Sequence, residues 1–366
     1  MWRLFNLRRK KFLYVWIILA TLCGVFFSVQ DSFAYQVKRV IRGTYDMASD
    51  EEVALIDLTA SLGGVDLVPA QTAVFATGDA IDTDTEETRV FIYLDSPNGL
   101  LLSRVLSGTA YAIDYEIVEF VSGVKVIRGF TTVPDNLYDK TVTLPESIIA
   151  NKSFIIHSWK SYRGANTDDE NQTFAAKIVD ADHIQFSRKG YASRYIADIS
   201  YQVVFFEGRT GLGDANVSVE HGWDVLTSSP LTIPIASVVT NKSFLMFSVA
   251  PAANVNGNDG YYFLNGTLND AGGGNSNAAL IYRQVSTTTA IDISWSVVTF
   301  SNETFVQKGT NSFDSRTTNY PITVPTAVTT NRSFICASDS VALSSTTALD
   351  EATQRVQLYD ESTLWV

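Results

Sequence analysis

Asn151-Lys152-Ser153-Phe154, Asn241-Lys242-Ser243-Phe244 and Asn331-Arg332-Ser333-Phe334 stand ninety residues apart in both steps. A fixed interval between matching tetrapeptides is the mark of a repeat architecture, and it sets the frame for every other element. A second block recurs around it. It reads Ile113-Asp114-Tyr115-Glu116-Ile117-Val118-Glu119-Phe120, then Ile199-Ser200-Tyr201-Gln202-Val203-Val204-Phe205-Phe206, then Ile293-Ser294-Trp295-Ser296-Val297-Val298-Thr299-Phe300. Apolar and polar residues alternate at the start of each, which is the period of a strand with one buried face. A third motif ends in glycine: Val40-Ile41-Arg42-Gly43, Val126-Ile127-Arg128-Gly129, Val219-Glu220-His221-Gly222 and Val306-Gln307-Lys308-Gly309.

Between these landmarks lie further short apolar runs bounded by turn residues, giving about six strands per unit and no convincing helical period. The predicted fold is all-β: tandem antiparallel β-sandwich domains of about six strands each, over residues 35–120, 121–207, 208–301 and an incomplete 302–366. In the last unit the Ile-x-aromatic strand falls beyond Leu364-Trp365-Val366. Three readings of that unit stay open: a fragment of a longer product, a groove filled by a strand from another chain, and a short terminal cap.

Residues 1–34 read as an N-terminal signal peptide or signal-anchor helix preceding the repeats. Arg8, Arg9, Lys10 and Lys11 precede an apolar run from Phe12 to Phe27, and Ser32-Phe33-Ala34 offers small residues at −3 and −1 of a cleavage point. The uncleaved alternative is a single anchor with the basic cluster inside. Either way the body is expected outside the cytoplasm, secreted or at the cell surface, and meets a membrane only through this segment. The whole chain carries −12, while residues 1–34 hold five basic groups against Asp31, so the body carries −16. Such a body repels phosphate backbones, which argues against nucleic acid as a partner. Cys336 is the only cysteine beyond residue 34, so no intrachain disulfide is expected there.

The strand order and motifs resemble the H-type lectin fold, a six-stranded antiparallel sandwich found in snail agglutinins. Ile293-Ser294-Trp295 and Ile199-Ser200-Tyr201 echo that family's closing strand. The resemblance implies the fold and an extracellular recognition role. The family's sugar-binding aromatic–histidine pair has no counterpart in Arg188-Lys189-Gly190-Tyr191, so no site is carried over. The chain is also similar to secreted bacterial tandem-repeat surface proteins with Val-Val-x-Phe strands.

Candidate ligand-binding residues sit in polar loops at corresponding places: Asp79, Asp82 and Asp84; Asp168, Asp169 and Glu170; Asn256, Asn258 and Asp259. Carboxylates and amides interleaved with glycine suit Ca²⁺, which takes six to eight oxygens, although the distal glutamate of an EF-hand is absent. Loops of an acidic exported protein are also acidic without binding anything. Arg104, Arg188 and Arg283 recur before the closing strand and predict a pair with a neighbouring carboxylate. Tyr115, Tyr201 and Trp295 read as core anchors. His157, His183 and His221 occupy unequal repeat positions, and no phosphate loop or nucleophile motif appears, so no enzyme and no cofactor is expected. The functional expectation is a binding or adhesion module, with glycans as a ligand class. The alternative is a structural surface-layer or filament subunit, a homo-oligomer or polymer assembling through sandwich edges.

Overall fold

A computed structural model describes residues 37–80, 89–105, 110–162, 173–188, 196–208, 211, 213–251, 264–269, 274–283, 290–301, 304–309, 320–337 and 356–365. The expected leader at 1–34 lies outside them. Among the described residues no helix is long and apolar enough to cross a membrane.

The protein is all-β, built of three-stranded antiparallel sheets. The first block runs β1 (Val37–Met47), β2 (Val53–Asp57), β3 (Thr72–Ala80), β4 (Phe91–Ser96), β5 (Gly99–Ser103) and β6 (Tyr111–Phe120). It pairs as β1-β6-β3 and β2-β5-β4. The second block, β7 (Lys125–Val133), β8 (Asp139–Thr143), β9 (Ser153–Tyr162), β10 (Ala175–Ile178), β11 (His183–Ser187) and β12 (Ile196–Phe205), pairs as β7-β12-β9 and β10-β11-β8. The third repeats this order with β13 (Val217–Leu226), β14 (Leu231–Val239), β15 (Ser243–Pro251), β16 (Leu264–Leu268), β17 (Asn275–Arg283) and β18 (Ile291–Phe300). In the fourth, β19 (Pro321–Thr323), β20 (Gln357–Leu358) and β21 (Thr363–Trp365) form a sheet of order β19-β21-β20, matching the second, fifth and fourth strands of the earlier blocks. Among the described residues helix is confined to one turn, Thr59–Leu62, and to short 3-10 turns.

Each complete block wraps both its sheets around one core. Leu100, Leu102, Ile113 and Ile117 anchor the first, Phe174, Ile184, Phe186 and Ile199 the second, and Ile233, Leu268, Ile281 and Ile293 the third. The closing strands β6, β12 and β18 lie at the centre of their sheets. The strand runs on past the motif glycine: β7 continues from Gly129 to Val133. The reason for the glycine is the partner opposite. Gly43, Gly129 and Gly222 pair with Tyr115, Tyr201 and Trp295, and each aromatic ring lies across its glycine. A Cβ at Gly129 would fall 2.7 Å from Tyr201 Cζ, closer than packed atoms stand. The three aromatics are buried, in keeping with their reading as anchors.

The tetrapeptide motif divides its labour by residue. A 3-10 turn takes in the first two residues of each copy, and the serine Oγ that follows donates to the carbonyl four residues back: Ser153 to Ile149, Ser243 to Val239 and Ser333 to Thr329, at 2.9–3.0 Å. Thr72 makes the same bond to Val68 at 2.8 Å, so the first block keeps the turn without the tetrapeptide. Lys152 and Lys242 reach forward to carbonyls of Val217 and Thr304 in the following block. Phe154 joins a fourth apolar cluster shared by all blocks, and Phe244 and Phe334 pack against that cluster.

That cluster lies where the blocks meet, and the same contacts recur at three of the meetings. A strand-four N–H donates to a strand-three hydroxyl of the next block: Ile92 to Ser158 at 2.8 Å, Ala176 to Ser248 at 2.9 Å. Val356 of the fourth block makes this bond to Thr77 of the first at 3.1 Å. The residue before the motif glycine grips the preceding block's 3-10 turn. Arg128 donates to Thr72 O, His221 Nε2 to Ala150 O at 2.8 Å, and Arg42 to Thr330 O at 2.6 Å and also to Ser333 O. Gln202 bonds both the N–H and the carbonyl of Val74 at 2.9 and 3.0 Å, and Glu116 accepts from Ile335 N at 2.7 Å. Phe75 stacks on Phe334 at 4.9 Å. The array therefore closes head to tail, first to second to third to fourth to first.

Candidate functional site

Within the first block β3 and β4 belong to different sheets and do not bond to each other, so an opening is left between them. Strand β9 of the second block lies over this opening, held by Ser158, whose Oγ bonds the N–H of Ile92. A cavity of about 290 Å³ remains beneath it. Its apolar wall is Val90, Ile92, Ile113 and Tyr111, an extension of the first block's core. Its polar groups are Thr77, Ser158, His157, Trp159 and Arg89.

His157, Trp159 and Arg89 form a stack. The imidazole lies 5.4 Å from the indole at 21° between planes, and the Arg89 guanidinium sits 5.4 Å from the indole centroid. Phe174 meets the indole edge-on at 6.0 Å. His157 Nε2 lies 2.9 Å from Phe174 O, so Nε2 carries the proton and Nδ1 is the bare nitrogen. Burial pushes the His157 pKa down to about 4, with the Phe174 carbonyl opposing; the ring is neutral at pH 7. Trp159 Nε1 is buried and has no hydrogen-bond acceptor among the described residues.

On the outer side of the same junction lies an aromatic face. Phe130, two-thirds exposed, follows the motif glycine on β7. It meets Phe91 at 6.5 Å and Tyr93 at 6.1 Å, both edge-on. Lys160 Nζ lies 5.9 Å over Phe91 and 5.7 Å over Tyr162, and donates to Ser103 Oγ at 2.9 Å. Tyr162, also exposed, donates to Asp198 at 2.9 Å, and Thr132 donates to the other Asp198 oxygen at 2.7 Å. The tyrosine pKa is raised by burial and by the Asp198 bond and charge. The corresponding place at the next junction holds Trp223 with Lys177 Nζ 4.9 Å over its ring.

The loop residues singled out in the sequence do not meet at this junction. Asp79 falls at the end of β3, and its side chain lies outside the described residues. Asp82, Asp84, Asp168, Asp169, Glu170, Asn256, Asn258 and Asp259 lie outside them altogether. Among the described residues no group of three or more His, Cys, Asp or Glu side chains is placed to hold a metal ion. Two of the recurrent arginines bond the main chain: Arg104 donates to Glu51 O and Ala48 O, and Arg188 to Leu137 O and Pro134 O, all within the connection from first to second strand. The other two histidines are built into the scaffold, His183 on Asp180 at 2.8 Å and His221 between Ser296 Oγ and Ala150 O. Neither Trp159 nor Phe130 was marked by the repeat, because the residues at equivalent positions differ: Gly78 and Val249 take the place of Trp159, and Thr44 and Trp223 that of Phe130.

No protein-family model matches the chain, and a search of curated proteins finds no match.

Proposed function

We propose that this protein is an exported binding module of the cell exterior, that each six-stranded block is a sandwich, and that the junction of the first two blocks recognises glycans. The carrying observation is the aromatic face of Phe130 and Tyr162 framed by Lys160, Asp198 and Thr132. Sugar rings present C–H faces to aromatic planes and hydroxyls to fixed polar groups, and this face supplies both within one patch. An exposed aromatic that contributes little to its own core is otherwise a liability in water. The head-to-tail covering of block flanks favours this reading over a filament subunit, which needs free flanks for assembly. Calcium in the acidic loops remains part of the proposal as a modulator.

The test is retention on a broad glycan array, with and without Ca²⁺, comparing the native protein with Phe130→Ala. Loss of an anchoring aromatic is expected to weaken retention about tenfold or more. An array on which the native protein retains nothing, or on which both proteins bind alike, removes the proposal.

A further inference from the structure

Each block ends one of its sheets on its second strand, β2, β8, β14 or β19, and among the described residues no strand pairs on the far side of any of them. An open edge invites pairing with another chain, and proteins guard it with proline, charge or irregular register. In β2 the bonding pattern is fixed at both ends: Glu52 O accepts from Arg104 N at 2.9 Å, and Leu58 N donates to Asn98 O at 2.8 Å. Antiparallel bonds alternate, so the N–H and C=O of Val53, Leu55 and Asp57 point away from β5, toward the open edge. Leu144 N bonds Asp182 O and Val324 N bonds Ser362 O in the same way, both at 2.7 Å, which aligns the repeats. At the positions of Leu55 and Asp57 the second block carries Thr141 and Thr143, the third Thr232 and Pro234, and the fourth Pro321 and Thr323. Val53 corresponds to Asp139 in the second block. The prolines have no N–H to offer a new strand, and β14 also breaks register after Pro234. Of the four strands, β2 alone places aliphatic side chains there, with Val53 58% and Leu55 64% exposed. Leu55 stands in one row with Leu101 and Tyr93, where the second block has Thr141, Gln185 and Lys177.

We infer that β2 is a docking edge for a second copy of this chain, the two β2 strands pairing antiparallel about a two-fold axis at Leu55. In that register Leu55 meets the second copy's Leu55, and Asp57 faces the second copy's Val53. The two Asp57 carboxylates then stand four residues apart along the strands, about 13 Å, beyond the ~8 Å over which charge acts at physiological salt. A slip of two residues brings them to about 7 Å, so charge fixes the register. Pairing β2 with β8 of another copy sets Asp57 against Asp139, a repelling cross-strand pair, and proline closes β14 and β19. A surface that pairs with itself closes at two copies and does not propagate. So short an edge belongs with the small interfaces below about 1,200 Å², and the pair is reversible, with a dissociation constant on the order of 10 μM. Pairing joins the two β2-β5-β4 sheets with their outer faces on one side. The aromatic faces beside β4 then lie about 24 Å apart, five strand spacings, although the pairing itself is independent of glycan recognition.

The experiment uses the purified full chain in two measurements. Sedimentation equilibrium from about 1 to about 300 μM is expected to show monomer passing to dimer and to nothing larger. Amide exchange reads where the copies touch. The Leu55 N–H is expected to exchange about fivefold more slowly at the concentrated end than at the dilute end, while Ala54 and Ile56, bonded to β5, do not change. Leu55→Glu alters an exposed side chain and sets like charges opposite each other on the two-fold axis. It is expected to weaken association about tenfold or more with little change in the urea midpoint. A monomer at every concentration overturns the inference, as does growth beyond two copies. Association that leaves Leu55 exchange unchanged, or that Leu55→Glu does not weaken, also overturns it, since another surface then holds the copies. The exchange comparison needs no variant, so it decides the matter even where Leu55→Glu disturbs the fold.

Discussion

Gly129→Ala adds a single methyl group to the middle of β7, opposite Tyr201. In most strands that change is neutral to favourable, because alanine loses less backbone entropy on folding, a gain of about 0.4–1 kcal/mol. Here the new Cβ lands 2.7 Å from Tyr201 Cζ and nearer still to its Oη. The ring cannot simply swing away, since Tyr201 is buried with Phe186 6.1 Å from it. Overpacking of this kind costs about 1–3 kcal/mol. Offset by the entropy gain, the net loss is about 1–2 kcal/mol. Urea unfolding monitored by circular dichroism reads it as a lower midpoint at unchanged slope. Tyr201→Leu removes the outer ring atoms that the methyl meets. In a double-mutant cycle the pair is then expected to lose at least about 1 kcal/mol less than the single losses summed. A Gly129→Ala protein as stable as the native one, or a strictly additive cycle, refutes the steric account of the glycine motif.

Three further outcomes are expected. Ser153→Ala deletes the bond to Ile149 O and lowers stability by about 1 kcal/mol, read from the same urea curves, whereas Asn151→Ala in the exposed turn stays within about 0.5 kcal/mol. Burial pushes the Glu119 pKa up, but bonds from Lys38, the Val68 N–H and Arg39, with the Arg39 charge, outweigh it and hold it below the usual range. Its stabilisation is therefore complete above the unfolded-state pKa and lost as pH falls through the folded one; Glu119→Gln is expected to flatten the acid limb of a stability–pH profile. His157 has the same sign for a different reason. Its folded pKa of about 4 lies below the ordinary 6.5, so the unfolded chain binds the extra proton between these values. Stability is expected to fall by at most about 3 kcal/mol from pH 6.5 to 4, and His157→Asn removes that slope.

The β-character of the chain and its ninety-residue period were legible because strand alternation and a fixed tetrapeptide leave local marks. Even the docking left one. In Val203-Val204-Phe205-Phe206 alternation gives way to a continuous apolar run, the pattern of a strand buried on both faces: Val203 and Phe205 enter the second block's own core, Val204 and Phe206 the shared cluster. What the sequence concealed were relations across blocks. The turn at Pro69–Gln71 shares geometry but almost no letters with its counterparts, since it needs only a 3-10 turn and a hydroxyl at Thr72. The bonds of Arg104 and Arg188 to main-chain carbonyls were not legible because such carbonyls carry no letter in a sequence. The cavity and the aromatic face were invisible for a related reason: they arise where Trp159 and Phe130 depart from the repeat, and repeat reading attends to what recurs.

Closure of the fourth block on the first carries the most weight, and amide hydrogen exchange measures it residue by residue. The N–H of Ile335, bonded to Glu116, and that of Val356, bonded to Thr77, are the reporters. Head-to-tail closure predicts slow exchange at both in the native protein, with Thr77→Val accelerating Val356 while Ile92 and Ala176 stay protected. Fast exchange at Ile335 and Val356 in the native protein, with those two amides at the other junctions slow, contradicts it.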